Sequence, residues 1–215
     1  VEKEFYNARA IVNMDFAKPK AYEMIVCEDR NGIVYDTVDG ESLLDWVRKT
    51  GDVKGCAVYM SKLHKAIVRN RVRNVSNYKE FLRYYIAKAP SFAPKKQTEV
   101  LQMLDKFPDG HTLCHGDFHP GNIFIAGGHT TVIDFMNICQ GDFLYDVART
   151  VFLVEYTPVS TEEKDRELLL QLKKTLVDLY LIQMNVTREI IQEYLSVITA
   201  ARMGECPNEQ RLTQE

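Results

Sequence analysis

The sequence predicts an α+β fold in which a small N-terminal part, one helix and two strands, precedes a larger and mainly helical part. Three observations carry this expectation. Tyr22 to Cys27 and Gly32 to Val38 are rich in Tyr, Val and Ile and are parted by the polar run Glu28-Asp29-Arg30-Asn31, which reads as a hairpin. Helical periodicity dominates from Ser42 to Phe107 and again from Asp142 onward. Between those stretches, His111 to Phe135 alternates short apolar strands with tight loops. The join near Asp39 to Glu41 divides the chain into residues 1–40 and 41–215.

Taken in order, Phe5, Ala8, Ile11 and Val12 recur at helical spacing from Glu2 to about Met14, and Lys18-Pro19-Lys20 stops that helix. The hairpin follows, and Asp39-Gly40 closes it. Ser42 to Arg48 and Val53 to about Arg71 are helical, with Val58, Leu63 and Ile67 expected on one buried face. Asn77 to Lys88 and Pro94 to Phe107 are two further helices, joined through Pro90, Ser91 and Pro94. Beyond Asp142, Leu169, Leu172, Leu176 and Leu179 form one apolar stripe, and Ile190, Tyr194, Val197 and Ala201 form another. The polar tail after Pro207 is expected to fray.

Composition bounds the function. A chain of 215 residues with 46% hydrophobic and 27% charged side chains can bury a full core. The net charge of −3, with Lys and Arg scattered, provides no basic face for nucleic acid. Five cysteines, Cys27, Cys56, Cys114, Cys139 and Cys206, are odd in number and never in a C-x-x-C pattern, so reduced thiols are expected rather than a disulfide framework or a zinc ribbon. No apolar run approaches the ~20 residues that span a bilayer, and a cytoplasmic protein without membrane partners is the expectation. Val1 is not a methionine and the first dozen residues already read as helix interior, so a preceding segment is expected.

The chemistry concentrates in one segment. Asn122 to Ala126 and His129 to Asp134 flank Gly127-Gly128, a strong signal for a two-residue hairpin turn. Centred there, the register sets Asn122 opposite Ile133 and leaves Asp134 one step further at the open end, where cross-strand neighbours lie ~5 Å apart. An amide oxygen and a carboxylate side by side are the hard ligands that Mg²⁺ prefers, the remaining positions going to water and phosphate oxygens. Five residues before Asn122, Asp117 opens the turn His119-Pro120-Gly121, which folds it back over the same end. Phosphoryl transfer needs a group that accepts the attacking hydroxyl's proton and a cation on the phosphate oxygens, and D-x-x-x-x-N followed by D can supply both.

His115-Gly116-Asp117-x-x-x-x-Asn122 with Ile133-Asp134-Phe135 resembles the catalytic and metal loops of the aminoglycoside phosphotransferase and choline kinase-like family, relatives of the protein kinases. Gly141 to Arg149 resembles the helix that follows those loops. The resemblance implies a protein-kinase-like two-lobe fold with a truncated N-terminal lobe and a mainly helical C-terminal lobe. It implies ATP and Mg²⁺, with Asp117 as catalytic base, His115 beside it in the catalytic set as a brace of the loop, Asn122 and Asp134 as metal ligands, and Asp146 as structural support. Val34 to Gly40 resembles the hinge, where main-chain groups near Asp36 and Val38 would meet the adenine edge. Glu4 resembles the helix glutamate that pairs with the ATP-binding lysine. The family's glycine-rich loop and that lysine precede the glutamate helix, and this sequence begins past them.

Plainer readings compete. His115, Asp117 and His119 form an H-x-D-x-H string that could ligate zinc, but no further histidine lies at a useful distance and Asn122 and Asp134 would be left idle. Asp117 and Asn122 could be mere turn residues. His64 reads as packing or capping, His111 and His129 as surface, Trp46 as packing, and Asp142 as a helix cap. Residues 155–215 carry eleven acidic and seven basic side chains, a balance of −4 that favours a cationic acceptor such as an aminoglycoside, choline or another amino-alcohol. The rival from another class is a pseudokinase-like binding module that keeps the fold without transferring phosphate.

Overall fold

The computed structural model describes residues 1–90, 92–160 and 164–207. Ser91 of the expected joint and the tail after Pro207 lie outside them. Helix α1 (Glu2–Ala10) is shorter than its periodicity suggests, and Asn7 and Ala8 form its buried face. Strands β1 (Ala21–Cys27) and β2 (Arg30–Tyr35) pair antiparallel from Ala21 opposite Tyr35 to Cys27 opposite Arg30. Their turn is only Glu28-Asp29, both at positive φ, so Arg30 and Asn31 belong to the strand rather than to the loop. Two left-handed residues give the turn twist that matches the strands' own.

Strand β3 (Glu41–Ser42) follows the hinge. Gly40 sits at φ +97°, and a Cβ there would meet the Ile125 carbonyl oxygen at 2.1 Å, so only glycine lets the chain pass this close. Ser42 caps helix α2 (Leu43–Thr50) by accepting from Asp45 N–H. Helix α3 (Val53–Val68) buries Cys56, Ala57, Met60, Leu63, His64 and Ile67, whereas Val58 is exposed. Helix α4 (Tyr78–Lys88) carries a capping box from Asn77 and Glu80, and α5 (Pro94–Lys106) starts on its proline.

The site segment hangs between two paired strands. Strand β4 (Thr112–Cys114) and strand β7 (Cys139–Gly141) lie antiparallel with Cys114 opposite Cys139. Between them run β5 (Ile123–Ala126) and β6 (His129–Val132), paired from Ile123–Val132 to Ala126–His129 around Gly127-Gly128, both at positive φ. One hairpin face, Ile123, Ile125 and Val132, is buried, while Phe124, Ala126, His129 and Thr131 point to the other side.

Asp142 caps α6 (Phe143–Val151) by accepting from Leu144 N–H at 2.7 Å, and the helix continues as a π-turn over Phe152–Tyr156. Helices α7 (Arg166–Met184) and α8 (Arg188–Glu205) complete the larger part, α7 against α3 and α8 against α4, α5 and α6. Of the expected stripes, Leu176, Tyr194, Val197 and Ala201 are buried and Leu169 and Leu179 half-buried, and two residues differ. Leu176, Val177, Tyr180, Leu181 and Met184 are buried while Leu172 is exposed, and Ile191 takes the inward place expected of Ile190. Leucine and isoleucine stand on both sides of these helices, so periodicity alone leaves the phase open. All five cysteines are free, and among the described residues no helix is long and apolar enough to cross a membrane.

Candidate active site

The hairpin extends by one rung, because Ile133 N–H donates to the Asn122 carbonyl at 3.0 Å. Asn122 and Asp134 therefore stand at the open end, as the Gly-Gly arithmetic requires. A 3₁₀ turn, Pro120–Asn122, carries the chain from the His115–His119 loop into β5. Asn122 Nδ2 donates to the Asp117 carbonyl at 3.0 Å and to its Oδ2 at 3.3 Å. This fixes the amide so that Oδ1 is the free end. Asp134 stands at φ +66°, a left-handed conformation that Asp tolerates better than most residues, and its Oδ1 accepts from Met136 N–H at 3.3 Å. All three side chains are half-buried. Burial pushes the His119 pKa down, against the pull of Asp117 and Asp134.

Asn122 Oδ1 and the second oxygen of Asp134 have no protein donor among the described residues. A divalent hard cation fits this donor set, one amide oxygen and one carboxylate with Asp117 beside them.

The loop is held from below by buried polar groups. Asp146 is fully buried and accepts from His115 N–H at 2.7 Å, Gly116 N–H at 2.8 Å and His64 Nε2 at 2.9 Å. His64 Nδ1 meets the Tyr180 hydroxyl, tying α3 and α7 to the same carboxylate. Arg149, 1% exposed, donates from Nε to the Gly116 carbonyl at 3.2 Å and pairs with Glu205 at 2.7 Å. Both sides of the Gly116 residue are thus gripped from α6. Gly116 itself is at φ +76°, with the Asn137 carbonyl 2.3 Å from where a Cβ would be.

His115 has both ring nitrogens engaged. Nδ1 accepts from Asp117 N–H at 3.3 Å and Nε2 donates to the Ile133 carbonyl at 3.2 Å, so the ring bolts the Asp117 loop to the residue before Asp134. Burial pushes its pKa down and keeps it neutral, against the pull of Asp146 and Asp117.

A cleft of about 510 Å³ opens between the segment Asp36 to Asp39 and the outward face of the β5–β6 hairpin. Asp36 and Val38 line one side, Phe124, Ala126, His129 and Thr131 the other. Phe124 is two residues from Asn122, roughly 6.6 Å along a strand, so the cleft adjoins the metal-side end without including it. Glu4 is half-buried and accepts the Tyr35 hydroxyl at 3.1 Å; burial, Glu4 and Asp134 all raise the Tyr35 pKa. Asn7 on the same helix donates from Nδ2 to the carbonyls of Phe135 (2.8 Å) and Met136 (3.1 Å).

The sequence suggests no role for Asn7, Tyr35 or Arg149, packing or capping for His64, and for His119 a place in the tight turn or in an H-x-D-x-H zinc string. Asn7 lies one helical turn before Ile11 on the apolar face, a signal the sequence carries; nothing local marks Arg149 as buried. His111 and His129 are exposed, and Trp46 packs edge-on against Tyr59.

The family model of the APH phosphotransferase enzyme family matches residues 34–175, about two thirds of the chain. The chain belongs to this phosphotransferase family. Solved structures agree on the fold. Amicoumacin kinase hAmiN, in complex with AMP-PNP, Ca²⁺ and Ami, is 18% identical with a TM-score of 0.61, covering 94% of this chain and 68% of that one. A thermostable mutant of aminoglycoside phosphotransferase APH(4)-Ia in its apo form is 14% identical with a TM-score of 0.64, covering 99% and 76%. APH(3'')-Id from Streptomyces rimosus, in complex with ADP and streptomycin, is 16% identical with a TM-score of 0.56, covering 93% and 81%. A search of curated proteins found no match. The fold is α+β and kinase-like, as in these structures.

Proposed function

We propose that this phosphotransferase moves the γ-phosphoryl group of ATP to a hydroxyl of a small molecule, an aminoglycoside, choline or another amino-alcohol. The observation that carries the reading is the Asp117–Asn122 contact at the open end of the hairpin, with Asp134 one residue beyond the last rung. Asp36 and Val38 of the hinge would hold the adenine above Phe124, and residues 1–40 would serve as the upper lobe. Asn122 Oδ1 and Asp134 would hold Mg²⁺, which when bound supplies positive charge to the phosphate oxygens.

Asp117 accepts the proton of the attacking hydroxyl and orients its oxygen. Asn122 keeps the Asp117 carboxylate turned toward the hairpin mouth. His115 holds the distance between the base and the Asp134 loop, so that the two ends of the reaction stay in register. Acidity near the acceptor favours a cationic molecule, although Glu155 and Asp178 are already bound by Arg188, and Glu205 by Arg149 and Arg202.

The binding-module alternative rests on one observation, that the partner of Glu4 is the Tyr35 hydroxyl rather than an ammonium. Transfer of labelled γ-phosphate from Mg-ATP to a panel of amino-alcohols separates the two. Asp117→Asn should lower kcat by about 10³-fold or more with nucleotide affinity nearly unchanged. Equal rates for wild type and variant would remove Asp117 from its role, and absence of metal-dependent transfer in the wild type would favour the binding module.

A further inference from the structure

One side chain at the mouth of the site has no task in the scheme above. His119 is half-buried and within electrostatic reach of both Asp117 and Asp134. Its Nδ1 accepts the Gly121 N–H at 3.1 Å, which leaves the neutral ring's proton on Nε2. That Nε2–H has no protein acceptor among the described residues. The ring also packs on the loop's glycine, since a Cβ on Gly121 would come within 2.9 Å of His119 Cε1. One edge of the imidazole is therefore locked, and the other carries a donor on the same loop, two residues from Asp117 and three from Asn122.

We propose that His119 is a further catalytic residue, donating its Nε2–H to an oxygen of the phosphoryl group in transit. The inference rests on the transfer reading of the site. During transfer the hydroxyl oxygen forms its bond to phosphorus, the bond to the bridging oxygen of ADP breaks, and the hydroxyl proton goes to Asp117. The three equatorial oxygens then carry the charge, and a preorganised donor that bonds them in the transition state lowers the barrier. A neutral N–H suits this place. A free ammonium there would be drawn into an ion pair with Asp117 or Asp134, whereas the imidazole keeps its proton throughout and is held by Gly121.

Two amide variants separate this role from that of a loop brace. His119→Asn offers an oxygen near the place of Nδ1 for the Gly121 N–H and nothing at Nε2; His119→Gln offers an N–H near the place of Nε2 and loses the brace. With Mg-ATP and an acceptor, His119→Asn should lose about 10²–10³-fold in kcat, with KM for ATP within about threefold, while His119→Gln stays within about tenfold of wild type. The opposite order, Asn active and Gln impaired, would overturn the proposal. A second readout needs neither metal nor acceptor. In ¹⁵N spectra of the imidazoles, tripolyphosphate should shift Nε2 of His119 and leave its Nδ1 in place, and an unmoved Nε2 would overturn the proposal as well. Should the wild type transfer no phosphate, the transfer reading fails by itself and the tripolyphosphate titration still judges His119.

Discussion

Asp146 collects three donors in a place that water does not reach, and the catalytic loop depends on it. Desolvation raises the pKa of a buried carboxylate, but the bond from His64, the charge of that ring and the backbone N–H groups more than offset this, and the pKa stays below the ordinary carboxylate range. Removing the carboxylate would strand His115 N–H and Gly116 N–H in the interior and free the His64 ring. Asp146→Ala should therefore lose roughly 3–5 kcal/mol of stability, the cost of breaking a buried charged network from one side. Urea denaturation measures it, and a loss below about 1 kcal/mol would show that water or a rearranged loop replaces the carboxylate. The part of this that the sequence reveals is that Asp146 supports structure. Its partner His64 lies 82 positions away, and no local pattern links the two.

Helix α1 reaches the metal-side loop through a single amide. Asn7 gives both of its protons to the Phe135 and Met136 carbonyls, and Glu4, one turn earlier, holds Tyr35 of β2. The helix is thereby tied to the Asp134 loop on one side and to the hairpin on the other. Asn7→Ala should cost about 1–3 kcal/mol, because two carbonyls lose their donor in a largely buried place. In a chain of this length that is a fall in Tm of about 2–4 °C per kcal/mol. A Tm unchanged within error would mean that α1 does not hold the loop. At this scale the sequence shows each helix and hairpin, with ends misplaced by a few residues, and it wrongly turns Leu172 of α7 and Ile190 of α8 inward. Both of those helices carry apolar residues around more than half their circumference, and only their neighbours α3, α4, α5 and α6 select which side is buried.

The whole molecule should lose stability on the acid side in two stages. His115 is buried and neutral, its pKa lowered by burial in spite of Asp146, Asp117 and Asp134, with His64 acting in the same direction as burial. The unfolded chain therefore binds a proton that the folded one refuses, and stability falls as pH drops below about 6.5, the ordinary histidine value. His119 shifts in the same direction through burial. Asp146 has the complementary sign. Its folded pKa lies below the unfolded value of 3.8, so its contribution is present above that pH and is lost as pH falls through the folded value. Urea midpoints measured from pH 8 to pH 3 should decline first as pH falls below about 6.5 and again below about 4; a flat profile from neutral pH down to about 4 would contradict the neutral, buried His115. By itself the sequence determined the hairpin and its register, because Gly127-Gly128 and the two-residue alternation around it are local preferences of the backbone, and these alone bring Asn122 and Asp134 to one end. Tertiary structure decided what steadies that end. Asp146, Arg149, His64 and Asn7 act over separations of 30 to 129 positions, and whether a polar side chain meets water or a buried backbone group depends on the packing of elements far apart in the chain.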